Sequence, residues 1–131
     1  MRVVIDTNVY ISSLLFKGKA REVYDACIAN TEVFISDFII VELSDKLHAK
    51  FSVSLKTVRD IIKSILSVVE KTTITSTLPN VCRDKDDNHI LQLCETVSAD
   101  FLITGDKDLL VLVNYKSTQI LSPADFLKLS S

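Results

Sequence analysis

Glycine and proline are scarce in this chain, two of each among 131 residues, which excludes a low-complexity or disordered segment of any length. The three cysteines, Cys27, Cys82 and Cys94, form no C-x-x-C pair and are odd in number. Neither a zinc site nor a disulfide framework is expected from them; they read as reduced thiols in a cytoplasmic protein. No apolar run approaches the length of a membrane span, and Asp6 and Asn8 interrupt any apolar stretch of a signal peptide. No membrane partner is therefore expected. The formal net charge is only −2, which excludes a surface that is one large phosphate-binding field but leaves room for a local basic rim. A Walker A loop, a G-x-G-x-x-G turn and a G-x-S-x-G elbow are all missing, so nothing supports P-loop hydrolysis, dinucleotide redox chemistry or a serine nucleophile. What is present is an ordered globular composition, 47% apolar and 24% charged, sized for one domain with its own core over residues 1–131.

The run Val3, Val4, Ile5 predicts a short strand buried on both faces, as in the middle of a parallel sheet. It stops at Asp6, and the apolar periodicity of Val9, Tyr10, Leu14 and Leu15 then predicts a helix. Further strands are predicted at 32–35, 72–77, 101–104 and 118–121. Further helices are predicted at 20–29, 37–50, 55–69, 88–99, 108–113 and 122–129, with Ser36, Ser54 and Ser122 as caps and Pro123 in the first turn of the last. Residues 83–88 read as a charged loop. Alternating strands and helices imply an α/β fold, a three-layer sandwich around a parallel sheet of about five strands. The helices at 39–47 and 55–69 carry more apolar surface than a solvent-facing helix needs, through burial in the core or a homodimer contact.

Acidic residues recur where such a sheet places its chemistry, at strand C-termini and the helix starts beyond them. Asp6 follows the first strand and Asp106 the fourth. Glu42 lies one turn into the third helix, Asp84, Asp86 and Asp87 precede the helix at Ile90, and Asp108 begins another. Each has an ordinary alternative. Asp6, Asp108 and one of the acids at 84–87 suit helix caps, and Glu42 suits an i,i+4 ion pair with Lys46. Taken together they need a counter-ion, because carboxylates about 5 Å apart repel by ~3 kcal/mol per pair at an effective dielectric near 20. His48 and His89 lack the spacing of zinc ligands, so oxygen ligation of Mg²⁺ or Mn²⁺ is expected. Such a site activates water and stabilises in-line phosphoryl transfer.

The stretches V-V-I-D-T-N-V-Y-I-S at 3–12, I-S-D-F-I-I-V-E-L at 35–43, C-R-D-K-D-D-N-H-I-L at 82–91 and A-D-F-L-I-T-G-D-K-D-L-L at 99–110 resemble PIN-domain ribonucleases, nearly end to end and in order. The likeness is greatest to the toxin components of toxin–antitoxin systems. The resemblance implies an acidic metal site of Asp6, Glu42, Asp87 and Asp106, with a place for Asp108, and it favours Asp87 over Asp86. It makes Asn8 and Thr104 supporting or substrate-orienting groups. It further implies metal-dependent cleavage of single-stranded RNA, a homodimer, and an antitoxin protein as partner. Lys85 stands where the family often has proline, and 17–19 lacks the prolines common there, so both loops are expected to be less rigid.

Basic residues available for an RNA rim are Lys17, Lys19 and Arg21, Lys46 and Lys50, and Arg83 with Lys85; each also suits an ordinary solvated surface. Tyr10 and Phe16 are the candidates for base stacking, although core packing is the commoner role. Two other readings compete with a nuclease toxin. One is a non-toxin PIN-like protein that binds or processes RNA. The other is an aspartyl phosphotransferase or phosphatase with Asp6 as nucleophile, which wants a second carboxylate where Asn8 stands.

Overall fold

The computed structural model describes residues 1–130. Six strands form one sheet: β1 (Arg2–Ile5), β2 (Glu32–Ile35), β3 (Glu70–Lys71), β4 (Phe101–Ile103), β5 (Asn114–Tyr115) and β6 (Thr118–Leu121). Seven helices connect and follow them: α1 (Thr7–Leu15), α2 (Lys19–Asn30), α3 (Asp37–Ala49), α4 (Leu55–Leu66), α5 (Lys85–Val97), α6 (Lys107–Leu110) and α7 (Pro123–Ser130). The strand order is β3-β2-β1-β4-β6-β5, parallel except for the β5–β6 pair. Val3, Val4 and Ile5 are wholly buried, because β1 lies between β2 and β4 and both of its faces are covered.

The order of connections determines where a ligand fits. From β1 the chain moves outward through β2 to β3, then returns across the sheet to β4 on the other side of β1. The connections leaving β1 and β4 therefore diverge, and a crevice opens at the carboxyl ends of these two strands. Asp6 follows β1 directly, and its N–H donates to the Ile103 carbonyl at 3.0 Å, so the ends of β1 and β4 are held side by side. Thr104 N–H donates likewise to Leu121 O at 2.9 Å, tying in the end of β6.

The helices and strands stand close to their predicted positions, with four corrections. The third strand is Glu70–Lys71, not 72–77. Thr72 N–H still reaches Ile35 O at 2.9 Å, but the chain then leaves the sheet and runs across α5. There Ser76 Oγ donates to Gln92 O at 3.0 Å, and the N–H groups of Thr75 and Ser76 point at Thr96 Oγ1. A β-branched run signals extended backbone, not which partner takes its hydrogen bonds. In consequence the preceding helix ends at Leu66 rather than 69, and Val69 enters the core beside β3. The helix expected at 108–113 is the single turn Lys107–Leu110, and β5 after it was not foreseen; it makes a two-residue hairpin with β6 at Lys116–Ser117. The helix expected to begin at 88 begins at Lys85, capped by Asp84, whose side chain accepts from Asp86 N–H at 2.9 Å.

Candidate metal centre

Asp6 leaves the buried end of β1 and is itself 6% exposed. One carboxylate oxygen accepts Thr7 N–H at 2.7 Å and the other accepts Thr104 Oγ1–H at 2.7 Å. Asp6 is thus the N-cap of α1, as the ordinary reading had it, and also a buried acid at the crevice. Burial pushes its pKa up; the two hydrogen bonds pull it down, and the charges of Glu42 and Asp106 push it up again. The wholly buried Thr104 joins two of the acids, since its Oγ1 also accepts Asp106 N–H at 3.0 Å.

Asp106 caps α6 by accepting Asp108 N–H at 2.8 Å. Asp87 sits in the first turn of α5 and is 6% exposed, whereas its neighbour Asp86 is exposed to solvent. The carboxylates of Asp87, Asp106 and Asp108 each bring an oxygen within 4.8 Å of the others. Burial, then the charge of Asp106, pushes the Asp87 pKa up to about 7. Its Oδ2 is buried with no hydrogen-bond partner. A buried carboxylate oxygen left bare costs free energy unless something cationic completes it. Three carboxylates with converging oxygens fit a hard divalent cation such as Mg²⁺ or Mn²⁺, with Asp87, Asp106 and Asp108 as the residues able to hold it.

The remaining expected site residues are placed unevenly. Asp6 and Glu42 stand outside the tight group of three, and both oxygens of Asp6 accept hydrogen bonds. Glu42 is half-buried on α3, close enough for its charge to be felt at Asp6, and its expected ion pair with Lys46 does not form among the described residues. Lys46 Nζ instead donates to Asn8 Oδ1 at 3.2 Å. Asn8 is exposed, and offers no second carboxylate to an Asp6 nucleophile. Arg83 pairs with Asp108 at 2.7 Å and so stands at the carboxylates, while Lys85 is exposed in the first turn of α5. Lys17 and Lys19 are exposed but follow the far end of α1, whose nine residues span about 13 Å from the Asp6 end. Tyr10 is wholly buried and packs edge-on against Tyr24, so it is core rather than a stacking platform. Phe16 is 59% exposed at the C-terminal cap of α1, again remote from Asp6.

Two contributors were not singled out in the sequence. Asn88 is buried, and its Oδ1 accepts the N–H groups of Val81 at 3.1 Å and Cys82 at 2.9 Å. It thereby pins the loop that carries Arg83 to Asp108. Its place beside Asp87 was the available signal. Phe38, near the start of α3, stacks on His89 of α5 with ring centres 4.2 Å apart and planes at 10°.

The comparisons with known proteins agree with this architecture. The chain is 35% identical over 120 residues to an uncharacterized protein of Methanocaldococcus jannaschii, covering 86% of this chain and 75% of the other. Its fold is similar to a chain in the crystal structure of VapBC2 from Rickettsia felis bound to a DNA fragment from their promoter, with a TM-score of 0.67 and 13% identity over 93% of this chain and 98% of that one. Residues 2–108 match the PIN domain family, a span that runs from β1 through Asp106 and Asp108, and the chain belongs to that family.

Proposed function

We propose that this protein is a divalent-metal-dependent endoribonuclease that cleaves single-stranded RNA, and that it acts as the toxin of a toxin–antitoxin pair. PIN domains are generally metal-dependent nucleases. The observation that carries the reading is the convergence of the carboxylates of Asp87, Asp106 and Asp108; Asp87 also has a buried, unpartnered Oδ2, and Asp6 is buried and feels the charge of Asp106. Carboxylates this close repel one another, and a bound cation would relieve that repulsion. When bound, Mg²⁺ or Mn²⁺ would supply Lewis-acid polarisation of a phosphodiester and a water of lowered pKa. The chain's own residues do the rest. Asp87, Asp106 and Asp108 hold the cation, Thr104 fixes Asp6 and Asp106 relative to each other, and Asn88 holds the Arg83 loop. Lys46 and Arg83 offer positive charge to the backbone on either side, Arg83 by giving up Asp108.

The toxin reading rests on the likeness of the four sequence stretches to toxin components and on the VapBC2 fold match. It implies an antitoxin protein that covers the site and a cytoplasmic target RNA. No helix among the described residues is long and apolar enough to cross a membrane. The test is cleavage of an end-labelled single-stranded RNA by the purified protein. Cutting should appear with Mn²⁺ or Mg²⁺, stop with a chelator, and fall as salt rises. A protein that binds the RNA but leaves it intact with every divalent cation would instead be a non-cleaving PIN protein.

A homodimer belongs to the same reading. Leu55 and Leu66 remain exposed on α4, and an open cleft of about 490 Å³ lies between this helix and α3. Light scattering should give twice the 14.6 kDa of the chain at micromolar concentration. A mass that stays at one chain across that range would remove the dimer.

A further inference from the structure

We propose that the cleft beside the acidic centre, between α3 and the first turn of α5, is the subsite for the nucleobase next to the scissile phosphate and that it selects guanine. The inference rests on the ribonuclease reading for the word scissile, but the cleft itself does not. Its volume is about 320 Å³, and it is lined by Phe38, Val41, Glu42, Asp45, Lys46 and Asp86. That size falls in the range of small-ligand sites, about 300–1,000 Å³.

Each wall supplies a different part of base recognition. Phe38 is a flat apolar ring, and the near-parallel His89 ring behind it, 4.2 Å away, fixes its orientation. Phe38 is half-buried and packs in part against the core, and the part of its side chain that remains lines the cleft, where an aromatic surface accepts any base by stacking. Val41 adds apolar surface that the core does not use, being 57% exposed. Lys46 reaches across to Asn8, two residues beyond Asp6, and so puts its ammonium at the border between the cleft and the carboxylates. A phosphodiester linking a base in the cleft to the metal centre would pass there. Asp86 immediately precedes Asp87, and the charge of Glu42 reaches Asp6, so cleft and centre share a wall.

The choice of base follows from Asp45 and Asp86. Both are exposed, and neither forms an ion pair among the described residues. An ionised carboxylate only accepts hydrogen bonds, and does so best from two parallel donors. Guanine presents adjacent N1–H and N2–H donors on one edge. Adenine and cytosine each set their amino group beside a ring nitrogen whose lone pair faces the carboxylate, and uracil flanks a single N–H with two carbonyls. Only guanine matches without repulsion.

The experiment has two arms. In the first, the metal-free protein is titrated with the 5′-monophosphates of guanosine, adenosine, cytidine and uridine while backbone amide resonances are followed. GMP should move the amides of residues 37–46 and 85–89 and bind several-fold more tightly than UMP. Phe38→Ala should weaken every nucleotide by about tenfold or more, the scale of base–aromatic stacking. Asp45→Asn combined with Asp86→Asn, both at exposed positions, should remove the GMP advantage with the fold intact. In the second arm, a single-stranded RNA of random sequence is cut in Mn²⁺ and the new ends are sequenced. Guanine should be enriched at one position flanking the cut in the wild type and not in the double variant. Equal shifts for all four nucleotides, shifts elsewhere on the protein, or none, overturn the subsite. If the RNA is never cut, the nuclease reading fails, and the nucleotide titration still decides the cleft.

Discussion

Replacing Asp6 by asparagine is expected to lower RNA cleavage by roughly 10–100-fold, the loss typical of removing an outer partner of a metal site. The same change should leave the metal-free fold as stable as before, or more so. Both halves follow from the geometry. Asp6 accepts Thr7 N–H at 2.7 Å through one oxygen and Thr104 Oγ1–H at 2.7 Å through the other. The amide oxygen of asparagine keeps the first bond. Its NH₂ group keeps the second if the Thr104 hydroxyl turns to accept, which its second lone pair allows even while Asp106 N–H occupies the first. What disappears is one negative charge, already held uncomfortably by burial and by the neighbouring charges of Glu42 and Asp106. A residue that served only as a helix cap would behave otherwise, because asparagine caps about as well as aspartate and cleavage would survive. Cleavage rates of the two proteins, with melting curves in chelator, separate the accounts; a variant that cuts at the wild-type rate would take Asp6 out of the site.

The second large effect concerns pH. Without metal, the wild type should lose stability relative to Asp87→Asn as pH rises from 3.8, the ordinary carboxyl value, to about 7, the value of Asp87 in the fold. The folded state holds this proton more tightly than the unfolded chain does. Within that window it carries the larger number of bound protons, so raising the pH favours unfolding. Above about 7 the penalty is complete, on the order of a few kcal/mol, because a unit of pKa shift corresponds to about 1.4 kcal/mol. Asparagine cannot ionise and escapes the penalty. Adding Mn²⁺ should reverse the trend, since a cation binds the ionised carboxylates and its stabilisation grows as the competing proton leaves. Denaturation midpoints at either end of the window, with chelator and with Mn²⁺, test this. Parallel curves for the two proteins in chelator would mean that Asp87 ionises normally and that the carboxylates do not repel as described.

The layout of the sheet was legible because it depends on local signals. An unbroken β-branched run such as Val3–Ile5 can be placed only in a sheet interior, and an acid at its end falls at the crevice by topology. Ser36 and Ser54 stand as N-caps where hydroxyls before an apolar period are expected. The residues at 72–77 carried an equally good strand signal and still left the sheet, because side chains of α5 took their hydrogen bonds instead. At the candidate site the acids could be named, but not their division of labour. Which of two consecutive aspartates turns inward depends on where α5 begins, and neighbours on a helix point about 100° apart. The Arg83–Asp108 pair and the Phe38–His89 stack join segments distant in the chain, so no local pattern announces them. Tyr10, a stacking candidate by its nearness to the turn, takes the commoner role of an aromatic instead: α1 buries it completely in the core.

Whether these carboxylates hold a divalent cation is decided by a crystal soaked in Mn²⁺ and measured at the manganese edge. An anomalous peak is expected in contact with the carboxylates of Asp87 and Asp106, close enough to Asp108 to compete with Arg83, and it should disappear in Asp87→Asn. A crystal saturated with Mn²⁺ that shows no peak at these residues, or shows one only at acids elsewhere on the surface, would contradict it.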